Sequence, residues 1–262
     1  ETAYKANKTA LDYLTAQGKG LYKGNFADIW YDEQNCEAIM VNQFYYPDHA
    51  FDQKNIRPEP LTRDGANDNQ AILSLLMAFP KADGTKLELD VTRLSDPAYN
   101  QQFMTEFYTN RDPRFHATIF CPGTIYPCTN VQLEGGQKYW NAWYEQEVDG
   151  KTQMNSLVDF QTGTSIGGGM SGYFQKKGLD ESLNNASVYQ AETDWIEIRF
   201  AEVLMNYGEC ANEIGKTQEA LNVLYQIRER AGIENTTGNY GITATTQSDI
   251  REAYVNERFV EF

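Results

Sequence analysis

Apolar side chains recur at three- and four-residue spacing near both ends of the chain and lose that rhythm in between. Ala3, Tyr4, Ala6, Ala10, Leu11 and Leu14 keep helical spacing, and Gly18 and Gly20 follow as a stop, which predicts a helix over 3–14. Cys36 to Val41 is a short apolar run that fits a buried strand. Far downstream, Asp194 has the N-cap residue type and precedes Trp195, Ile198, Phe200, Ala201, Val203, Leu204, Tyr207, Ala211 and Ile214, with Gly215 as a stop. This is the strongest helix pattern in the chain. A second helix is expected after Lys216 and Thr217, with Ala220, Leu221, Leu224, Ile227 and Ala231 on one face and Gly232 at its end.

On the 34-residue tetratricopeptide pattern, Leu204, Gly208, Ala211, Gly215, Ala220, Leu224 and Ile227 fall where large, small, small, turn, small, large and apolar residues belong. Small residues let antiparallel helices approach closely, so Gly208 and Ala220 mark the expected contact. Such a hairpin cannot hide its apolar face alone, and no second clear copy exists, so degenerate neighbours are expected. Between about 45 and 190, Gly, Pro, Asn, Asp and Tyr dominate, with short β-like runs such as Ala117 to Phe120. The expected fold is mostly α, with tetratricopeptide-like helical hairpins, a large loop-rich region and a few short strands. Its expected layout is a single domain over 1–262: a helical scaffold (1–44), a loop-rich ligand-binding part (45–190) and tetratricopeptide-like helices (191–262).

Charge removes one class of partner. Against 37 Asp and Glu the chain has 22 Lys and Arg, a net charge of -15, and no basic run that would neutralise a nucleic acid. At 41% hydrophobic and 13% aromatic it should fold. The longest apolar run, Ala71 to Phe79, is broken by Ser74 and is far short of the ~20 residues a transmembrane helix needs. Glu1 to Lys5 shows no initiator Met and no export signal, and the last helical pattern, Asp249 to Phe262, stops without a cap. Both ends are therefore expected to be cuts from a longer protein. Cys121 and Cys128 enclose a turn-rich hexapeptide and are read equally as a bridge or as two thiols, while Cys210 lies on a helical stripe.

Several segments together resemble the SusD/RagB family. Trp195 to Glu209 is similar to that family's "IRxAEVLLNYAEA" helix, and Ile227-Arg228-Glu229-Arg230-Ala231-Gly232 resembles its "(V/I)RxRAG" helix end. Asn110-Arg111-Asp112-Pro113-Arg114-Phe115, then Ser171 to Lys177, then Asn256 to Phe262 follow in the family's order. The last resembles "ERxxELxFE", which in the family runs on into a segment absent here. The resemblance implies an outer-membrane, lipid-anchored protein facing the cell exterior. It implies oligosaccharide binding without catalysis, for import through a SusC-like TonB-dependent transporter, and no cofactor.

A glycan binder needs flat aromatic faces for the C–H surfaces of sugars, with amides or acids beside them. Tyr139, Trp140, Trp143 and Tyr144 crowd six positions around Asn141, behind Gly135 and Gly136, and are read as a stacking loop or as rings that pin the loop. Tyr45 and Tyr46, before Pro47, form a second candidate. Arg111, Asp112 and Arg114 are read as fixing a turn against the scaffold. The Gly167 to Gly172 run lacks the strand and helix of a dinucleotide site, and His49 and His116 lack partners at metal-ligand spacing. Two rival functions remain: a glycoside hydrolase using acids such as Asp28, Asp32 and Glu33 beside Trp30 and Tyr31, which requires two carboxylates ~5–9.5 Å apart, or a helical scaffold for protein partners.

Overall fold

A computed structural model describes residues 1–56, 69–121, 124, 143–156, 171, 173–183 and 186–262. In chain order the elements are α1 (Thr2–Ala16), β1 (Ala38–Asn42), α2 (Leu73–Ala78), α3 (Pro97–Thr109), α4 (Pro113–Thr118), β2 (Ile119–Phe120), β3 (Trp143–Val148) and β4 (Lys151–Ser156). They continue with β5 (Phe174–Gln175), β6 (Trp195–Arg199), α5 (Phe200–Glu213), α6 (Thr217–Ala231) and α7 (Gln247–Glu261). The described part is thus helical with short strands, as the apolar pattern implies. The chain divides into two compact units: unit 1 is Glu1–Val41, Leu73–Phe115 and Ile196–Phe262, and unit 2 is Asn42–Ile72 and His116–Trp195.

In unit 1, α5 packs against α1, α6 and α7. Leu204, Met205, Ala220, Leu224, Ile227, Ile250 and Tyr254 form the buried seam. The expected α5–α6 hairpin is present, and α7 is the third helix that covers it. Gly208 is required here: a Cβ on it would stand 1.9 Å from the Tyr254 hydroxyl and 2.9 Å from Val223 Cβ. That hydroxyl donates to the Ala220 carbonyl at 2.7 Å, so the two small residues meet through a tyrosine of α7. Gly232 ends α6 at φ 85°, and Thr246 with Asp249 forms a capping box on α7. The Tyr4 and Tyr207 hydroxyls each donate to Glu219 Oε2 at 2.6 Å, tying α1 and α5 to α6. Hydrogen bonds from Lys216, Tyr207 and Tyr4 hold the Glu219 carboxyl down to about 2.

Two local expectations change. Asp194 does not cap a helix; Trp195–Arg199 is strand β6, paired with β1, and α5 starts at Phe200 with Arg199 as its N-cap. Trp195, Ile196 and Ile198 suit a strand as well as a helix face, and the β1 edge takes them into a ladder. The stretch between 45 and 190 also holds α3, thirteen residues long. Its apolar stripe is weak, and its start is set by Asp96, whose side chain accepts from the Ala98 and Tyr99 N–H groups, with Pro97 in the first turn.

In unit 2, β2 pairs antiparallel with β5, Phe120 opposite Phe174. The β-like run therefore begins at Ile119, since Ala117 and Thr118 still belong to α4. β3 and β4 form a hairpin in the register Trp143↔Ser156 to Val148↔Lys151, turned by Asp149 and Gly150 at φ 52° and 71°. Buried Gln53 fastens distant strands of chain, donating to the Gly178 carbonyl and accepting from the Asp180 N–H, both at 2.9 Å.

Candidate functional site

The densest group of ionisable side chains lies inside unit 1. Arg114, fully buried, pairs with Asp112 at 2.7 Å, Glu257 at 2.6 Å and Glu261 at 2.9 Å. Arg199 joins Glu261 at 2.8 Å to Glu37 at 2.6 Å. Arg230 bridges the same two carboxylates, and Arg228 holds Glu257 at 2.7 Å. Four arginines and four carboxylates thus form one neutral, water-poor network. Ionised groups are costly to desolvate, and this arrangement survives because each carboxylate meets a guanidinium with hydrogen-bonding geometry around it. Burial alone would raise the Glu257 pKa, but Arg114 and Arg228 outweigh it and hold the group below its usual range. Glu261 behaves alike: burial is outweighed by Arg230, Arg199 and Arg114. Arg111 is committed too, donating to the carbonyls of Phe107, Leu76 and Phe79. The turn-fixing role expected of Arg111, Asp112 and Arg114 matches these contacts.

Unit 2 presents the opposite arrangement. Tyr45 and His49 exchange backbone hydrogen bonds at 2.8 and 2.9 Å, closing a turn that contains the cis Tyr46–Pro47 bond. Tyr45 is 54% exposed and Tyr46 47% exposed. Beneath them the Phe44 ring lies between His49 (4.9 Å, 9°) and Phe51 (5.0 Å, 22°), and Phe51 meets Trp195 edge-on at 6.4 Å. Three hydrogen bonds fasten this segment to residues 191–194: Phe51 N–H to the Ala191 carbonyl at 2.8 Å, Tyr46 N–H to Glu192 Oε1 at 3.0 Å, and Phe44 N–H to Asp194 Oδ1 at 2.9 Å. Tyr45 also meets the stacked His49 ring at 6.2 Å, and both phenols stay about half exposed.

With this geometry in place, comparison with known families settles kinship: the SusD family model matches residues 27–262. The chain belongs to the SusD family. Among solved structures it resembles a SusD-like protein from Bacteroides fragilis, with 23% identity and a TM-score of 0.66, covering 99% of this chain and 49% of that one. A SusD-like carbohydrate binding protein from the same organism gives 23% identity and a TM-score of 0.65, covering 98% and 46%. A SusD superfamily protein from Parabacteroides distasonis gives 13% identity and a TM-score of 0.59, covering 98% and 43%. The chain spans about half the length of these solved relatives. No curated protein sequence matches it.

Four of the five SusD-like segments converge on the buried network: Arg199 from the α5 motif, Arg228 and Arg230 from the α6 end, Glu257 and Glu261 from α7, and Asp112 with Arg114; the fifth, Ser171 to Lys177, belongs to unit 2. Glu37, the residue before β1, completes the network and carries no motif, so the sequence holds no sign of it. Of the expected glycan contacts, Tyr45 and Tyr46 form the turn just described. Tyr139, Trp140 and Asn141 lie outside the described residues, as do Cys128 and Gly167 to Met170. Trp143 and Tyr144 open β3, opposite Ser156 and Asn155. Supporting residues Phe44, His49, Phe51, Glu192 and Trp195 were not singled out as site residues; the cluster of rings around Pro47 was the available signal. Trp30 is buried, with the Arg199 guanidinium 5.4 Å from its ring, so it offers no open face beside Asp28 and Asp32. A cleft of about 530 Å³ in unit 1 is lined by Met77, Pro80, Lys86, Arg228, Asp249 and Asn256. Its Arg228 is spent on Glu257 and the Gly84 and Tyr240 carbonyls, and its Asn256 on the Ala78 carbonyl. Among the described residues, no three His, Cys, Asp or Glu gather as metal ligands, and no helix is long and apolar enough to cross a membrane.

Proposed function

We propose that this chain is the glycan-holding part of a surface lipoprotein that captures oligosaccharide for a SusC-like TonB-dependent transporter in the outer membrane. The observation that carries the reading is the Tyr45–Tyr46 turn: two half-exposed phenols, preorganised by the Phe44 stack, offer flat faces and hydroxyls to a sugar at little ordering cost. Membership of the SusD family supports it, as does the likeness to a SusD-like carbohydrate binding protein. Tyr139, Trp140, Asn141, Trp143 and Tyr144 stand as a separate proposed set of glycan contacts.

Native gels cast with neutral polysaccharides test this. Retarded migration without release of new reducing ends is expected, and Tyr45→Ala with Tyr46→Ala should abolish part of the retardation. Reducing ends appearing with time would establish the hydrolase instead. For Trp140→Ala and Trp143→Ala, unchanged retardation with a lowered melting temperature would assign those rings to packing.

A further inference from the structure

The turn that shows its tyrosines is surrounded by carboxylates. Asp48 sits inside it, between Pro47 and His49, and is exposed. Glu192 is one hydrogen bond from Tyr46, and Asp194 one from Phe44. Asp52 completes the set; the single Lys or Arg across 42–56 and 186–195, Lys54, lies 3.8 Å from Asp52, and the one His, His49, is stacked on Phe44. Glu192 and Asp194 are turned to the backbone of the turn itself, so their charge cannot move away when a ligand arrives. We propose that this site is selective for uncharged sugar residues and rejects glycans bearing uronate or sulfate groups.

The inference rests on the glycan-binding reading above and adds the ligand's charge class. A sugar ring stacked on Tyr45 or Tyr46 brings its substituents to the same rim as Asp48 and Glu192. At physiological ionic strength, charges within the ~8 Å screening length still repel, and like charges facing one another across an interface work against binding. The chain's net charge of -15 adds to the repulsion during approach. A neutral ring meets none of this: the two phenol hydroxyls can donate hydrogen bonds to it or accept them, and the rim carboxylates accept from its hydroxyls.

The test uses one polysaccharide in two charge states. Whichever neutral polysaccharide is retained on native gels is compared with its own carboxymethylated derivative, in low salt and in high salt. Retention of the carboxymethylated form should be at least about tenfold weaker in low salt, and the gap should narrow at ~1 M salt, where screening shortens to ~3 Å. In the double variant Asp48→Asn, Glu192→Gln, which keeps the acceptor oxygen for Tyr46, the ratio of neutral to anionic retention should fall. Equal retention of both forms by the natural protein, at either salt, overturns the selectivity and leaves the glycan reading standing. Retention of no polysaccharide at all overturns the glycan reading first, and this inference with it.

Discussion

Unit 1 places four arginines and four carboxylates where water scarcely reaches them, whereas the turn of unit 2 leaves two tyrosines about half exposed. Each region runs against the usual distribution, in which charge sits outside and large rings sit inside. In unit 1 the inversion is compensated, since each of these eight charges has an opposite partner and the buried Arg111 beside them donates to three backbone carbonyls. In unit 2 the two phenol faces have no such compensation. The contrast teaches which inversion to follow in search of function: a satisfied cluster has spent its chemistry on the fold, and an unsatisfied surface has chemistry left for a ligand. The motifs that reveal kinship therefore mark the scaffold.

Acid should break the contrast most completely. Glu219, Glu257 and Glu261 have pKa values depressed by folding, so their stabilising contribution is complete above the ordinary carboxylate value of 4.5 and is lost as pH falls through their lower folded values. Helical content followed by far-UV circular dichroism should stay level from neutral pH to about 5 and then fall, with the Glu219 share gone near pH 2. Helicity unchanged down to that pH would show that the buried pairs do not hold unit 1 together.

Removing one charge comes next. Arg114→Leu leaves Asp112, Glu257 and Glu261 short of a buried partner and should cost about 3–5 kcal/mol, a large share of a typical domain's stability. Urea titration measures it, and a loss under about 1 kcal/mol would sink the idea that this guanidinium is central. Gly208→Ala should be smaller and opposite to helix propensity. Alanine favours a helix by about 1 kcal/mol, but here its methyl meets the Tyr254 hydroxyl and Val223, so a net loss of about 1–3 kcal/mol is expected. A stabilised variant would mean that Tyr254 moves aside freely. Smallest in stability is the pair Tyr45→Ala and Tyr46→Ala, which should stay within about 0.5 kcal/mol while glycan retention drops. A large stability loss with retention intact would turn these rings into packing groups and erase the contrast between the units.

Much of the scaffold could be read from spacing because helices advertise themselves locally. The α6 stripe from Ala220 to Ala231 and its Gly232 stop need only neighbours three or four residues away, and they lie where expected. The start of α5 could not be read this way: Trp195 to Arg199 carries apolar groups compatible with either period, and the deciding partner, β1, lies more than 150 residues earlier. Charge pairing is harder still. Nothing near Glu37 in sequence reveals that it will meet Arg199 and Arg230, because electrostatic partners across tertiary structure leave no periodic trace. The Tyr45–Tyr46 candidate was visible as two rings before a proline, but its rigidity was not, since that depends on Phe51 and on the 191–194 segment.

The span of the Glu37 contacts carries a consequence for biogenesis. Glu37 and its partner Arg230 are separated by 193 positions. At synthesis rates of ~5–20 residues per second, roughly 10–40 s pass between the emergence of the two. Until Arg199 and then Arg230 are made, a carboxylate destined for a dry interior has no counter-ion, so the N-terminal helix and strand cannot settle early around it. Unit 1 is thus built to close late, as a whole, and a chain that ends before α6 would remain open to proteases.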